Sequence, residues 1–208
     1  MMKREVTGLV LLAGAGLFSL AVATSAAADV NKMVETCAAC HGKEGDSHES
    51  DVPTIGGMSA PYIKDNLTAY KNKERPCPET KFHEGPKKGQ KTDMCQVAKE
   101  LSDGDMKELA DYYAGKKFFR ANQKFDAALA QKGKEIHDDH CEKCHSNGGS
   151  LASDDAGILA GQWMPYLEAT FKEYKSGKRP MEKKMKPKID KLTPGDIQAL
   201  LNYYGSFK

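Results

Sequence analysis

Cys37-Ala38-Ala39-Cys40-His41 and Cys141-Glu142-Lys143-Cys144-His145 stand 104 positions apart in a chain of 208 residues. Two cysteines three apart share one helical turn, where both can form thioethers to the vinyl groups of a haem. The histidine that follows reaches the iron from the same face. This is the spacing of c-type haem attachment. A zinc ribbon also uses paired cysteines, but as a rule at closer spacing, and it needs no histidine after each pair. A thioredoxin-like redox pair needs a strand–helix context that the flanking sequence lacks. Plain disulfides are the remaining alternative. Two copies of a five-residue motif favour haem over all three, and they imply two haems.

The motifs belong to a longer repeat, the first thing to look for in any chain. At the same shift of 104, Pro61-Tyr62 falls on Pro165-Tyr166, Tyr70-Lys71 on Tyr174-Lys175, and Arg75-Pro76 on Arg179-Pro180. Further on the shift becomes 91: Leu101 to Asp105 matches Leu192 to Asp196, and Tyr112-Tyr113 matches Tyr203-Tyr204. The first copy therefore carries 13 extra residues between Pro76 and about Met94, and Cys77 lies among them. Two domains are expected, 29–116 and 121–208, joined by 117–120. Units this small need covalent or cofactor help to be stable, and the short connector predicts that they pack together.

The periodicity is helical. Ser102 with Asp105 and Thr193 with Asp196 have the spacing of capping boxes, and Pro194 suits a first helical position. Met106, Leu109, Ala110 and Tyr113 then recur at helical intervals, as do Ile197, Leu200, Leu201 and Tyr204. Phe125, Leu129, Gly133 and Ile136 are read as the apolar face of a helix leading into Cys141. No segment alternates with period two, and 42–61 and 146–165 read as loops. The fold class expected is all-α.

Lys and Arg number 31 and Asp and Glu 29, for a net charge of +2. That balance excludes nucleic-acid binding by bulk electrostatics. Lys3 and Arg4 precede an apolar run over 8–22, and Ala26-Ala27-Ala28 follows. This is the pattern of a cleaved secretory signal, placed at 1–28; the run is shorter than the roughly 20 residues a membrane span requires. The mature chain is expected in the periplasm, with no membrane span. Six cysteines are then exposed to an oxidising compartment.

The duplication selects the sixth iron ligands. Met94 lies seven residues before Leu101 and Met185 seven before Leu192, and no other methionine aligns with a methionine. Met181 is the competitor in the second half. Saturated iron with a thioether ligand suits electron transfer rather than bond chemistry. Arg75 and Arg179 fit haem propionates or, more plainly, surface ion pairs. Cys77 and Cys95 read as a disulfide closing the insert, or, with His83, as a soft metal site. Lys178, Arg179, Lys183, Lys184, Lys186 and Lys188 surround Met185, as a solvated loop or as a surface steering an acidic partner.

These residues resemble the tandem dihaem class I cytochromes c over nearly the whole mature chain. Within that group, the second half is similar to the haem subunit of flavocytochrome c sulfide dehydrogenase. The likeness lies in Cys141 to His145, in Ile158-Leu159-Ala160-Gly161-Gln162-Trp163 with Pro165-Tyr166, and in Arg179-Pro180-Met181-Glu182-Lys183-Lys184-Met185. The resemblance implies two tandem class I cytochrome c-like domains, with iron ligands at His41, Met94, His145 and Met185. It also implies a heterodimer with an FAD-bearing flavoprotein that oxidises sulfide. The chain would then be no enzyme on its own, passing electrons to a soluble acceptor such as a small cytochrome c. A free dihaem carrier feeding a terminal oxidase or reductase is the alternative, and a metal-stabilised structural module is a third. The Cys77/Cys95 insert has no place in the family pattern. Pro53, where a loop carbonyl faces His41, is matched by Gly157, which leaves the partner of His145 open.

Overall fold

The computed structural model describes residues 30–208; the expected signal segment lies outside them. The helices follow the repeat. The first half has α1 (Val30–His41), α2 (Ala60–Lys71), α3 (Met94–Lys99) and α4 (Asp103–Ala114). The second half has α5 (Ala127–His140), the single turn α6 (Ser146–Gly149), α7 (Met164–Lys175), α8 (Lys186–Lys191) and α9 (Pro194–Gly205). At a shift of 104, α2 superposes on α7 in sequence, and at 91, α4 superposes on α9.

Both capping boxes form. Ser102 Oγ accepts from the Asp105 amide at 3.1 Å, and the Asp105 carboxylate accepts from the Ser102 amide at 2.8 Å. Thr193 and Asp196 repeat the exchange at 3.2 and 3.0 Å. The faces that follow are buried as their spacing requires: Met106, Leu109, Ala110 and Tyr113 on α4, Leu200, Leu201 and Tyr204 on α9. Each half has its own core. Val34, Met58, Ile63, Leu109 and Tyr113 form one; Leu167, Ile189, Leu192, Leu200 and Tyr204 form the other.

One expectation needs correction in part. Of the apolar face expected before Cys141, Gly133 is buried and Ile136 packs against the second core, but Phe125 and Leu129 are exposed, and Ala130 and His137 complete the buried face of α5. Gly133 sets this orientation: a Cβ there would meet the Ala199 carbonyl oxygen at 2.1 Å, so α5 and α9 cross backbone to backbone. The fold is all-α as expected, with one small addition: the insert folds as a hairpin of β1 (Thr80–Lys81) and β2 (Lys91–Thr92), antiparallel and two residues long. Among the described residues no helix is long and apolar enough to cross a membrane.

Candidate functional site

Cys37, Cys40 and His41 form the last turn of α1. The second motif is differently placed. Helix α5 ends at His140, and the amides of Cys141 and Glu142 both bond the His137 carbonyl, at 2.7 and 2.9 Å. The chain then turns through the motif, with the His145 amide returning to the Cys141 carbonyl at 2.9 Å. Glu142 braces this turn, accepting from the amides of Asn147 at 2.7 Å and Gly148 at 3.2 Å and from His137 Nε2 at 2.7 Å. His137 is wholly buried, and its Nδ1 meets the Tyr204 hydroxyl at 2.9 Å. No disulfide joins any of the four motif cysteines, against the reading as disulfides.

His41 is buried, and its Nδ1 donates to the Pro53 carbonyl at 2.9 Å. Burial lowers its proton affinity, opposed by the bond to Pro53. With Nδ1 bonded, Nε2 is the nitrogen left free to take a ligand. His145 is also held below the ordinary histidine value by burial. Its Nδ1 is buried with no bond of proper geometry; the Gly157 carbonyl acts on it as a weaker counterpart of Pro53.

His41 and Met94 line one cleft with Met58, Tyr62, Arg75 and Tyr166. Met94 is set there by α3, whose start is capped by Asp93 accepting from the Gln96 amide at 2.8 Å. Met185 sits just before α8 and packs against the second core, as does Met181. The aligned lysines, unassigned from sequence, tie down the chain at these two methionines' helices. Lys71 Nζ donates to the Leu101 carbonyl, and Lys175 Nζ to the carbonyls of Ile189, Asp190 and Leu192 at 3.0–3.2 Å.

Arg75 and Arg179 are buried rather than surface residues. Their guanidiniums lie 4.1 Å over the Tyr70 ring and 4.8 Å over the Tyr174 ring. Asn66 Oδ1 accepts from both, and both stand 3.8 Å from the single carboxylate of Glu173. Arg75 Nε has no partner. Burial would raise the Tyr166 phenol, yet Arg179 and Arg75 outweigh it and hold the phenol below its usual value. Two buried cations with one carboxylate leave an excess of positive charge beside the ligand cleft, an arrangement that burial penalises unless anions complete it. The carboxylates of a haem are such anions, and they match planar guanidinium. The residues present therefore fit haem.

Cys77 and Cys95 form a disulfide. The alternative metal set with His83 does not assemble. His83 Nδ1 faces Glu49 at 3.3 Å, and the group near the two sulfurs is Asp93. The insert instead lies over the first motif, with the amides of His83 and Glu84 both bonding the Ala39 carbonyl at 3.0 Å.

The family profile described as cytochrome c matches residues 27–116, and that of cytochrome c oxidase, cbb3-type, subunit III matches 128–203. Cytochrome c-554(548) of Halomonas halodenitrificans is 34% identical over 92 residues, 44% of this chain and 96% of that protein. The chain belongs to the cytochrome c family. Cytochrome c4 of Stutzerimonas stutzeri is 28% identical, covering 93% of this cytochrome and 94% of that protein. The crystal structure of reduced recombinant cytochrome c4 from Pseudomonas stutzeri shares the fold, with a TM-score of 0.69 and 24% identity over 86% of this chain and 97% of that one. This is a dihaem, cytochrome c4-like electron-transfer protein with tandem class I domains and covalently bound haem c.

Proposed function

We propose that this cytochrome is a periplasmic two-haem carrier that moves electrons between its halves and hands them to a soluble acceptor. Domains 29–116 and 121–208 each hold one haem. Cys37 and Cys40 anchor the first and Cys141 and Cys144 the second, with His41 and Met94, and His145 and Met185, as axial ligands. Each bound haem supplies a reversible one-electron couple. The chain's own residues fill both axial positions, keep water out, and neutralise the propionates through Arg75 and Arg179. The observation that carries this reading is Tyr166: a second-half side chain walls the first-half cleft that contains His41 and Met94, so the two sites adjoin. The exposed Lys178, Lys183, Lys184, Lys186 and Lys188 beside Met185 suit an acidic acceptor. Mass spectrometry of the exported chain tests the reading. Two haem masses on a chain cleaved after Ala28 are expected, and a chain without them would overturn it.

A second reading makes the same cytochrome the electron-transfer subunit of a flavocytochrome c sulfide dehydrogenase, accepting electrons from an FAD subunit that oxidises sulfide. The stretch from Arg179 to Met185 favours it. Purification from the native periplasm separates the two: a lone dihaem chain supports the carrier, and a tight complex containing FAD supports the subunit.

A further inference from the structure

His41 and Gln162 grip opposite ends of one peptide group. The carbonyl of Pro53 accepts from His41 Nδ1 at 2.9 Å. The amide of that same peptide, on Thr54, donates to Gln162 Oε1 at 3.0 Å, although Gln162 belongs to the other half of the chain. Gln162 Nε2 returns a bond to the Thr54 carbonyl at 2.9 Å. Both residues are sealed from solvent, Gln162 at 0% exposure and Thr54 at 1%. The amide side chain is itself held in place: its Oε1 also accepts from the Trp163 amide at 3.1 Å, and the Gln162 carbonyl accepts from Gln123 Nε2 at 2.8 Å.

Hydrogen bonds in series through a peptide polarise one another. Donation from the Thr54 N–H to Gln162 makes the Pro53 carbonyl a stronger acceptor. A stronger acceptor draws the His41 Nδ1 proton and leaves the ring a better electron donor at Nε2. The repeat has no second copy of this device. Met58 occupies the position equivalent to Gln162, and Gly157 that equivalent to Pro53. His145 Nδ1 correspondingly lacks a bond of proper geometry.

We infer that Gln162 is a positioning residue through which the second domain sets the axial histidine, and so the reduction potential, of the first haem alone. The inference rests on the reading of His41 as an iron ligand. A more anionic imidazole favours ferric iron, so Gln162 lowers the first potential and makes the two haems unequal.

Gln162→Met, which copies the residue at the equivalent position of the first half, tests this. Spectroelectrochemistry of the holoprotein is expected to show the first potential rising and the second unmoved, the two being assigned through Met94→Ala and Met185→Ala. Exchange of the Thr54 amide with solvent deuterium should accelerate. Gln162→Glu keeps an acceptor for the Thr54 amide and should leave the first potential at or below its parental value. It decides the matter alone if the Met variant does not accumulate. Trp163→Phe removes a different cross-domain bond, from Trp163 Nε1 to the Ser47 carbonyl at 2.9 Å, and should move neither potential. Equal shifts at both haems, no shift in Gln162→Met, a rise in Gln162→Glu, or the same shift in Trp163→Phe would each overturn the inference. Absence of haem from the first half would instead overturn the ligand assignment, and the Thr54 exchange rate would still report on the Gln162 clamp.

Discussion

Met94 opens α3 and Met185 directly precedes α8; Lys71 ties down the chain just past the first of these short helices, at Leu101, and Lys175 ties down the second, at Ile189, Asp190 and Leu192. Thioether ligation raises a haem potential by favouring ferrous iron. Met94→Ala or Met185→Ala is therefore expected to lower the potential of one haem while both haems remain attached, read by potentiometric titration and by mass. No shift in either potential would reassign that ligand. In the second half the informative comparison is Met181→Ala, which should leave both potentials in place.

The caps and the crosslink make predictions about stability. Ser102→Ala and Thr193→Ala should each cost about 1 kcal/mol, as lost N-caps do, measured by denaturant unfolding. Their partners make the effect depend on pH. The Asp105 carboxyl is held below its usual value by the Ser102 amide and then hydroxyl, and that of Asp196 by the Thr193 hydroxyl and then amide. A depressed folded pKa means the stabilisation is complete above the unfolded value of about 3.9. It is lost as pH falls through the lower folded value. Melting temperature plotted against pH should drop below about pH 4, and less so in Asp105→Asn with Asp196→Asn. The Cys77–Cys95 bridge spans 18 positions, a loop whose closure contributes about 3 kcal/mol in the chain-entropy account. Replacing both cysteines with serine should cost that order of stability, concentrated in the hairpin over the first motif, where amide exchange would detect it.

The junction of the halves places two guanidiniums and one carboxylate in a single buried cluster. A charge beside both haem sites would shift both potentials in the same direction. Glu173→Gln, which removes the negative member, should raise both; Arg179→Leu, which removes a positive one, should lower both. A shift of about 60 mV corresponds to a tenfold change in a one-electron equilibrium. Stationary potentials in both variants would show that the cluster serves packing alone. The repeat does not predict Glu173, because Ala69 stands at the matching position. One carboxylate placed off the symmetry thus serves both arginines.

Much of this protein was legible from spacing. The Cys-x-x-Cys-His motifs, the capping boxes and the apolar intervals of α4 and α9 are local patterns, and local patterns survive in a sequence because helix geometry repeats every few residues. The duplication extended that reach, pairing Met94 with Met185 and Arg75 with Arg179 across gaps in which nothing periodic runs. Where the two copies differ, the sequence offered no guide. The face α5 buries follows from the approach of Gly133 to Ala199, a contact between distant segments. The burial of Arg75 and Arg179 follows from the docking of the halves, as does the grip of Gln162 on Thr54, 108 positions away. Hydrogen bonds and charges between remote segments depend on how finished elements pack, and no interval along the chain records that packing.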